Sequence, residues 1–449
     1  MGSGESGKGW MQSGMRFGVG DEVAPGERGP LLPLRVLIVA DLVPRGAHNA
    51  GASPPEGAIR VELAEFDDLF KKLRPRVAID VPSVLAEGKP ARVDLAPTSL
   101  KSFRPDGLCF EVPLLRSLLD GRIVLERLRD GSMSADAATS ELERLWSGSR
   151  FAREVMGLLP STKAQDVALP PLPTASAESA ADALLDMVDL GPSYAAQSSG
   201  AGGGGGARPA YAPKTEQSKF SALIAQVAMS GSKGATKNPG EAIARVEKAI
   251  AAQLGAILQH PEVRRLEESW RGVRFLVERA KGHAGVRVEV VCARPDDMAD
   301  ALARAIRTNA SSEPPVSFAV VDLEIDGTAV GLARLEKLAG VAEDATAPVL
   351  VNASPALLGV ESLRDVERLD NKAGLFQAPE RVPWRSTAAK GPLRWVTLAA
   401  NRMLARPPFD KQTSRVREAN VKELPDDEGA WVWLEPAWGV ASLALASFR

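Results

Sequence analysis

The stretch PLRVLIVADL (Pro33–Leu42) is a nearly continuous run of apolar residues, rich in Val, Leu and Ile. A strand with one face in water would alternate polar and apolar residues, and this run does not. Continuous aliphatic runs of this length are typical of strands that are buried on both faces of a sheet. We therefore predict a buried strand at this position.

The residues that follow the run predict a small folded segment. Apolar residues recur at helical spacing over Phe66–Leu73 and predict a helix that ends before Pro75. The stretches Arg76–Pro82 and Ala91–Pro97 alternate apolar and polar residues, which predicts a hairpin of half-buried strands. Leucines at helical spacing then predict helices, beginning within Val112–Leu128.

A change of composition over residues 161–215 divides the chain. This stretch is rich in Pro, Ala, Ser and Gly and ends in SSGAGGGGGARPAYAP. It buries too little apolar surface to offset the entropy of ordering it, so we predict a disordered linker. The predicted organisation is a flexible tail over 1–30, a folded segment over 31–160, the linker, and a second folded segment over 216–449.

The second segment alternates helical and strand patterns. Helices are predicted at Lys219–Gly231, at Glu241–Gln259, after Pro261, near Asp296–Arg307 and at Ala329–Glu343. Strands are predicted at Val286–Val291, Val316–Ile325 and Ala347–Ser354. This alternation argues for a parallel sheet. The predicted fold class is therefore α/β, with two mixed α/β bodies joined by the linker.

The composition is that of a soluble globular protein. Hydrophobic residues make up 45% and charged residues 25% of the 449 residues, which are ordinary values for two or three domains. The formal net charge of −2 gives no electrostatic reason to expect a nucleic acid or an anionic membrane as partner. The first 15 residues lack the apolar core of a targeting segment, and no apolar run is long enough to span a bilayer. The expected localisation is cytoplasmic.

The first residues resemble a phosphate-binding loop, which would indicate a nucleotide-binding enzyme. Gly2–Lys8 reads G-S-G-E-S-G-K, but the next residue is Gly9, which has no hydroxyl for magnesium. A working loop also lies between a buried strand and a helix, and neither pattern is present here. We therefore favour a Gly/Ser-rich tail and keep the nucleotide-binding enzyme as the alternative.

Other chemistry-bearing residues form no catalytic or metal-binding pattern. His48, His260 and His283 have spacings that fit no zinc motif, and His260 precedes Pro261, where it can cap a helix. Cys109 and Cys292 are far apart and form no redox motif. No nucleophile elbow or dinucleotide-binding turn follows a strand. We expect no catalytic residue, no bound metal and no cofactor.

Both segments carry motifs of one known family. The stretches RVLIVADL, FDDLFKKLRPRVAIDVP and SLKSFRPDGLCFEVPLLRSLL resemble the small subunit of the type VI secretion contractile sheath. The stretches HPEVRRLEESWRGVRFLV (His260–Val277), APVLVNASPALLGVESL and LRWVTLAANRMLARPPF resemble the N-terminal and middle parts of its large subunit. The resemblance covers most of the chain outside the tail and the linker.

The resemblance implies a mechanical function in protein secretion. In this family, protomers stack helically around an inner tube, contraction drives the tube into a target cell, and an AAA+ unfoldase recycles the contracted sheath. The implied partners are therefore other sheath subunits, the inner tube protein, the AAA+ recycling unfoldase and the baseplate. We expect a structural sheath component, either a fused or truncated protomer or a cap, nucleation or adaptor paralogue.

Two departures from the family qualify this expectation. The two subunits, normally separate chains, are here one polypeptide. The chain also ends where a typical large subunit continues into a C-terminal region that helps to link neighbouring protomers through exchanged strands.

The resemblance also implies three sets of site residues. Apolar helix faces from the two segments are expected to form an interface. Trp270 is expected either to anchor this interface or to belong only to the core of its own segment. The interface residues are Leu115, Leu119, Leu266, Trp270 and Val273. An N-terminal amphipathic helix of the large subunit is expected either to bind the unfoldase or to pack on the protein's own core; its residues are Phe220, Leu223, Ile224 and Val227. A strand exchanged between protomers is expected at Met15, Phe17 and Val19.

Overall fold

The computed structural model describes residues 33–44, 57–86, 89–160, 214–229, 238–283, 285–308, 313–369, 374–410, 412, 422–425 and 428–447. Within residues 214–229, side chains are described at 220–227. The phosphate-loop-like residues, the predicted exchanged strand and residues 161–213 of the predicted linker lie outside the described residues.

The strands are β1 (Leu34–Ala40), β2 (Ile59–Arg60), β3 (Val77–Pro82), β4 (Pro90–Leu95), β5 (Val286–Cys292), β6 (Phe318–Ile325), β7 (Val349–Ala353), β8 (Val396–Ala399), β9 (Met403–Arg406) and β10 (Val432–Leu434). The helices are α1 (Phe66–Leu73), α2 (Pro105–Glu111), α3 (Pro113–Arg129), α4 (Ala135–Leu145), α5 (Arg150–Gly157), α6 (Lys214–Met229), α7 (Pro239–Leu258), α8 (Pro261–Ala280), α9 (Met298–Thr308), α10 (Ala329–Ala345), α11 (Val382–Ala388) and α12 (Pro436–Ser447). Short 3₁₀ turns connect several of these elements.

A six-stranded sheet is the centre of the described fold. Its strand order is β2-β5-β1-β6-β7-β8, and every neighbouring pair is parallel except β2 with β5. The predictions of an α/β fold and of a parallel sheet are therefore confirmed. The buried strand predicted from PLRVLIVADL is β1, and it lies between two strands of the second segment.

The pairing of β1 joins the two segments into one sheet. All seven residues of β1 pair with β5, from Leu34 opposite Val286 to Ala40 opposite Cys292. On its other edge, Val36–Val39 pair with Phe318–Val321 of β6. The first segment thus contributes a central strand to the sheet of the second, and the two segments do not have separate principal sheets.

Helices cover both faces of this sheet. Val36, Ile38 and Ala40 point into a large core that is shared with residues of α1–α8 and α12. Leu37 and Val39 point into a smaller core that is formed with α9 and α10. Because helices lie on both faces, β1 is aliphatic on both, which accounts for the continuous apolar run.

Two small antiparallel sheets flank the central sheet. The hairpin predicted from alternating residues is confirmed as β3 and β4, with Val77 opposite Leu95. Strands β9 and β10 form the other pair. Helix α12 follows β10 and packs on α8, where Gly272 allows close contact, since an added Cβ would lie 2.3 Å from the Trp438 ring.

His260 caps helix α8, as its position before Pro261 suggested. Its Nδ1 accepts a hydrogen bond from the Glu262 backbone N–H at 3.3 Å. Burial lowers the pKa of His260 to about 4, so the ring stays neutral near pH 7 and keeps an acceptor nitrogen. The residue has a structural role in helix initiation.

Candidate functional site

Strands and helices of the two segments pack against one another, and a buried ion pair lies within this junction. Arg35 of β1 donates from Nε and Nη2 to the Glu289 carboxylate of β5 at 3.1 and 2.8 Å. Its Nη1 donates to the Pro314 carbonyl at 3.0 Å. Arg35 is 1% and Glu289 5% exposed. The pair therefore joins the two segments inside the sheet, away from solvent.

An aromatic cluster forms a second part of the junction. Trp270 of α8 stacks on Phe70 of α1, with ring centroids 3.5 Å apart, and meets Phe66 edge-on at 6.0 Å. Its Nε1–H donates to the Leu42 carbonyl at 3.2 Å. Trp270 is fully buried, and these three partners belong to the first segment. Its side chain therefore contacts the other segment as well as the core around it.

Helix α7 carries polar contacts between the segments. Gln253 is fully buried; its Oε1 accepts from the Val84 N–H at 3.2 Å, and its Nε2 donates to the Pro82 carbonyl at 3.0 Å. These bonds satisfy backbone groups at the end of β3 that would otherwise be buried without partners. Helix α7 also packs on α3, where Arg122 lies 3.2 Å from Glu247.

The other predicted interface residues lie in the same core. Leu115 and Leu119 of α3 and Leu266 and Val273 of α8 are each at most 2% exposed. All four belong to the large cluster that includes β1 and helices from both segments. Leu115 and Leu119 lie on a helix that packs on α7 of the second segment.

The helix predicted to bind an unfoldase is α6, and most of its apolar face is covered. Phe220, Ile224 and Val227 are 7%, 0% and 2% exposed, and Leu223 is half-buried. These residues pack within the large core, and α6 lies against α7. In this structure the face contacts the protein's own core.

Sequence reasoning missed the polar residues of the junction. Arg35, Glu289 and Gln253 were not identified, because charged and amide residues are usually exposed. The available signal was their context: Arg35 is the only charged residue of β1, and Glu289 alternates with valines in VRVEVV. A lone charge inside a strand that is buried on both faces requires a buried partner.

A buried ion cluster connects α8 to the segment after β9. Arg406 donates from Nε and Nη2 to Glu267 at 2.7 and 3.0 Å and from Nη1 to Glu423 at 3.0 Å. Arg271 also donates to Glu267, at 2.8 Å. Burial disfavours the ionised form of Glu267, but Arg406 and Arg271 outweigh it and hold the pKa of this carboxyl at about 2. Glu267 is therefore ionised at neutral pH.

A second cluster lies where α12 begins and contains more carboxylates than guanidinium groups. Its acidic members are Glu268, Asp322, Glu324 and Glu435, and its basic members are Arg264, Arg265 and Arg402. Arg402 lies 3.2 Å from Glu435 and 3.3 Å from Glu324. Burial raises the pKa of Glu435 to about 8, against the opposing effects of Arg402 and Arg265. The cluster therefore retains a proton near neutral pH.

The raised pKa of Glu435 predicts a pH dependence of stability. The ordinary pKa of a glutamate is 4.5 and the folded value is about 8, so the folded state binds the proton more tightly. The bound proton contributes on the order of a few kcal/mol to the free energy of unfolding. This contribution is fully present below pH 4.5 and is lost as the pH rises through 8. We expect Glu435→Gln, which cannot ionise, to flatten the decline in denaturation midpoint between pH 5 and 8. Glu141→Gln, on the exposed face of α4, is the control and should leave the slope unchanged. An unchanged slope in Glu435→Gln would contradict the assignment.

The described residues contain no group of three or more His, Cys, Asp or Glu side chains that could hold a metal ion. Both cysteines are buried, and burial raises the pKa of the Cys109 thiol to about 12. Within the same residues, no helix has the length and apolarity that a membrane span requires.

Comparisons with known proteins match both segments. The family model of VipA, of the type VI secretion system, matches residues 24–157, and that of VipB, the tail sheath N-terminal domain, matches residues 240–449. The sheath protein TssC1 of Pseudomonas aeruginosa is 24% identical over 236 residues, which cover 49% of this chain and 47% of TssC1. The sheath protein TssB1 of the same organism is 29% identical over 118 residues, 26% of this chain and 69% of TssB1. The chain thus spans less than half the length of TssC1. It is a protein of the type VI secretion sheath family, with a TssB-like segment followed by a TssC-like segment.

Proposed function

We propose that this chain is a structural component of a type VI secretion contractile sheath and acts mechanically, without catalysis, in the cytoplasm. The observation that carries the proposal is the shared sheet, in which β1 of the TssB-like segment lies between β5 and β6 of the TssC-like segment. One polypeptide thereby forms a combined unit with elements of both sheath proteins. A fused unit of this kind is suited to act as a protomer, or as a cap, nucleation or adaptor subunit.

The proposed partners are other sheath subunits, the inner tube protein, the baseplate and an AAA+ recycling unfoldase. Met15, Phe17 and Val19 are proposed to form a strand exchanged with a neighbouring protomer. For recycling, we propose that α6 must first leave the core, because Phe220 and Ile224 are buried against it. Nothing in the comparisons supports the alternative of a nucleotide-binding enzyme that uses Gly2–Lys8.

Assembly is tested by expressing the full chain alone and together with separate small and large sheath subunits. We expect the chain to co-sediment with sheath-like tubules and to be visible in them by immunogold labelling and negative-stain microscopy. Tubules formed by the chain alone would identify a protomer, whereas tubules only with a separate large subunit would identify an adaptor or cap. A chain that stays in the soluble fraction while tubules of the other subunits form would overturn the proposed function.

A further inference from the structure

The aliphatic residues of β1 do not by themselves determine which strand lies between β5 and β6. Apart from Arg35, the strand consists of Leu, Val, Ile and Ala. Aliphatic strands of this kind are common in parallel sheets, and hydrophobic contacts tolerate exchanges of similar volume. Selection of one strand over another therefore requires a contact of another kind.

Arg35 supplies a contact with directional requirements. Its two hydrogen bonds to Glu289 form a bidentate fork, and its remaining terminal nitrogen is bonded to the Pro314 carbonyl. The neighbouring cation, Arg287, is engaged by Glu313 at 2.6 Å. A lysine cannot reproduce the planar fork, because its ammonium group is a point charge.

Because this pair is buried, a strand without a cation at the position of Arg35 would strongly disfavour folding. A buried pair with complete hydrogen bonds is close to neutral relative to a well-packed apolar pair, since desolvation offsets the attraction. Removing one partner, in contrast, leaves an uncompensated charge in the interior and disfavours folding by about 100-fold or more. A strand without a cation at this position would leave the Glu289 carboxylate buried and without a compensating charge.

The pair also disfavours two shifts in the register of β1. A shift by one residue would turn Arg35 to the opposite face of the sheet, towards the large core. Arg35 lies opposite Arg287, so a two-residue shift that sets it opposite Gly285 would move it about 6.6 Å farther from Glu289, beyond hydrogen-bonding distance. The aliphatic residues alone would tolerate the second shift.

We propose that the Arg35–Glu289 pair is a selectivity element. It makes the position between β5 and β6 accept a strand with a guanidinium at its second residue and reject an aliphatic strand without one. The rejected strands are aliphatic strands like β1 that carry an uncharged residue at this position. The inference concerns how the chain pairs its own segments and goes beyond the proposed function.

A double-mutant cycle in the full chain measures this discrimination directly. The four proteins are the parent, Arg35→Met, Glu289→Met and the double variant, and the folding equilibrium constant is measured by denaturant titration. Each single variant leaves one buried charge without its partner, so we expect its folding equilibrium constant to fall by about 100-fold or more. The folding equilibrium constant of the double variant should lie within about tenfold of the parent's, because neither charge is then left unpaired.

Each outcome of the cycle decides the proposal. If a single variant fails to fold while the double variant folds, selection is supported. If the losses are additive, or if the double variant does not fold, the position does not discriminate by charge and the proposal is overturned. The control is the exposed pair Arg144–Glu141 of α4, whose cycle should be additive within about threefold. A coupling at the control as large as at Arg35–Glu289 would also overturn the proposal.

Discussion

Replacing Trp270 with alanine should lower the free energy of unfolding by about 3–5 kcal/mol, the usual cost of removing a large buried aromatic side chain. The side chain is fully buried, and its ring stacks on Phe70 and meets Phe66. The substitution therefore leaves a cavity at the junction and removes contacts between the two segments. Denaturant titration of the full chain gives the measurement.

Two further variants separate the contributions of Trp270. Trp270→Phe keeps an aromatic ring but leaves the Leu42 carbonyl without its donor, so we expect a smaller loss of about 1 kcal/mol from the hydrogen bond. Trp433→Ala, at a half-exposed position of β10, is the matched control for removal of a tryptophan. If Trp270→Ala were no more destabilising than Trp433→Ala, the aromatic cluster would not anchor the junction.

Replacing Arg406 with methionine should destabilise the fold by about 3–5 kcal/mol, because two buried carboxylates lose their shared partner. Glu267 and Glu423 are both fully buried and both accept hydrogen bonds from Arg406. The loss should be largest near pH 7 and smaller near pH 4, because Arg406 lowers the pKa of Glu267 and without it this buried carboxylate can take up a proton in acid. Chemical denaturation between pH 4 and pH 8 gives the measurement.

Arg271→Met is the matched control, since it removes a second guanidinium from the same carboxylate. The side chain of Arg271 is 23% exposed and it does not contact Glu423 in the described structure, so solvent compensates part of the loss. We expect Arg406→Met to be clearly more destabilising than Arg271→Met. An equal loss of unfolding free energy in the two variants would show that Arg406 stabilises the fold no more than Arg271 does.

Much of the architecture follows from patterns that are local in the sequence. The helix predicted at Glu241–Gln259 is α7 at Pro239–Leu258, and the strand predicted at Val286–Val291 is β5 at Val286–Cys292. The hairpin of β3 and β4 was predicted from alternation alone. In each case the residue pattern of one element is sufficient, because it reports which of its faces are buried.

The arrangement of these elements was less predictable. An apolar run shows that β1 is buried but not which strands lie beside it, so its place between β5 and β6 could not be derived. Helix α6 shows the same limit, because an amphipathic face looks alike whether it packs on its own core or on a partner. Strands β8, β9 and β10 were missed, since they are short and lie among the tryptophan-rich residues near the end of the chain.

The central position of β1 has a consequence for synthesis on the ribosome. Arg35 and its partner Glu289 are 254 residues apart in sequence. At elongation rates of about 5–20 residues per second, β1 is made tens of seconds before the strands that flank it. During that interval an aliphatic strand has both hydrogen-bonding edges unpaired, which makes the nascent chain a substrate for chaperones that shield apolar segments.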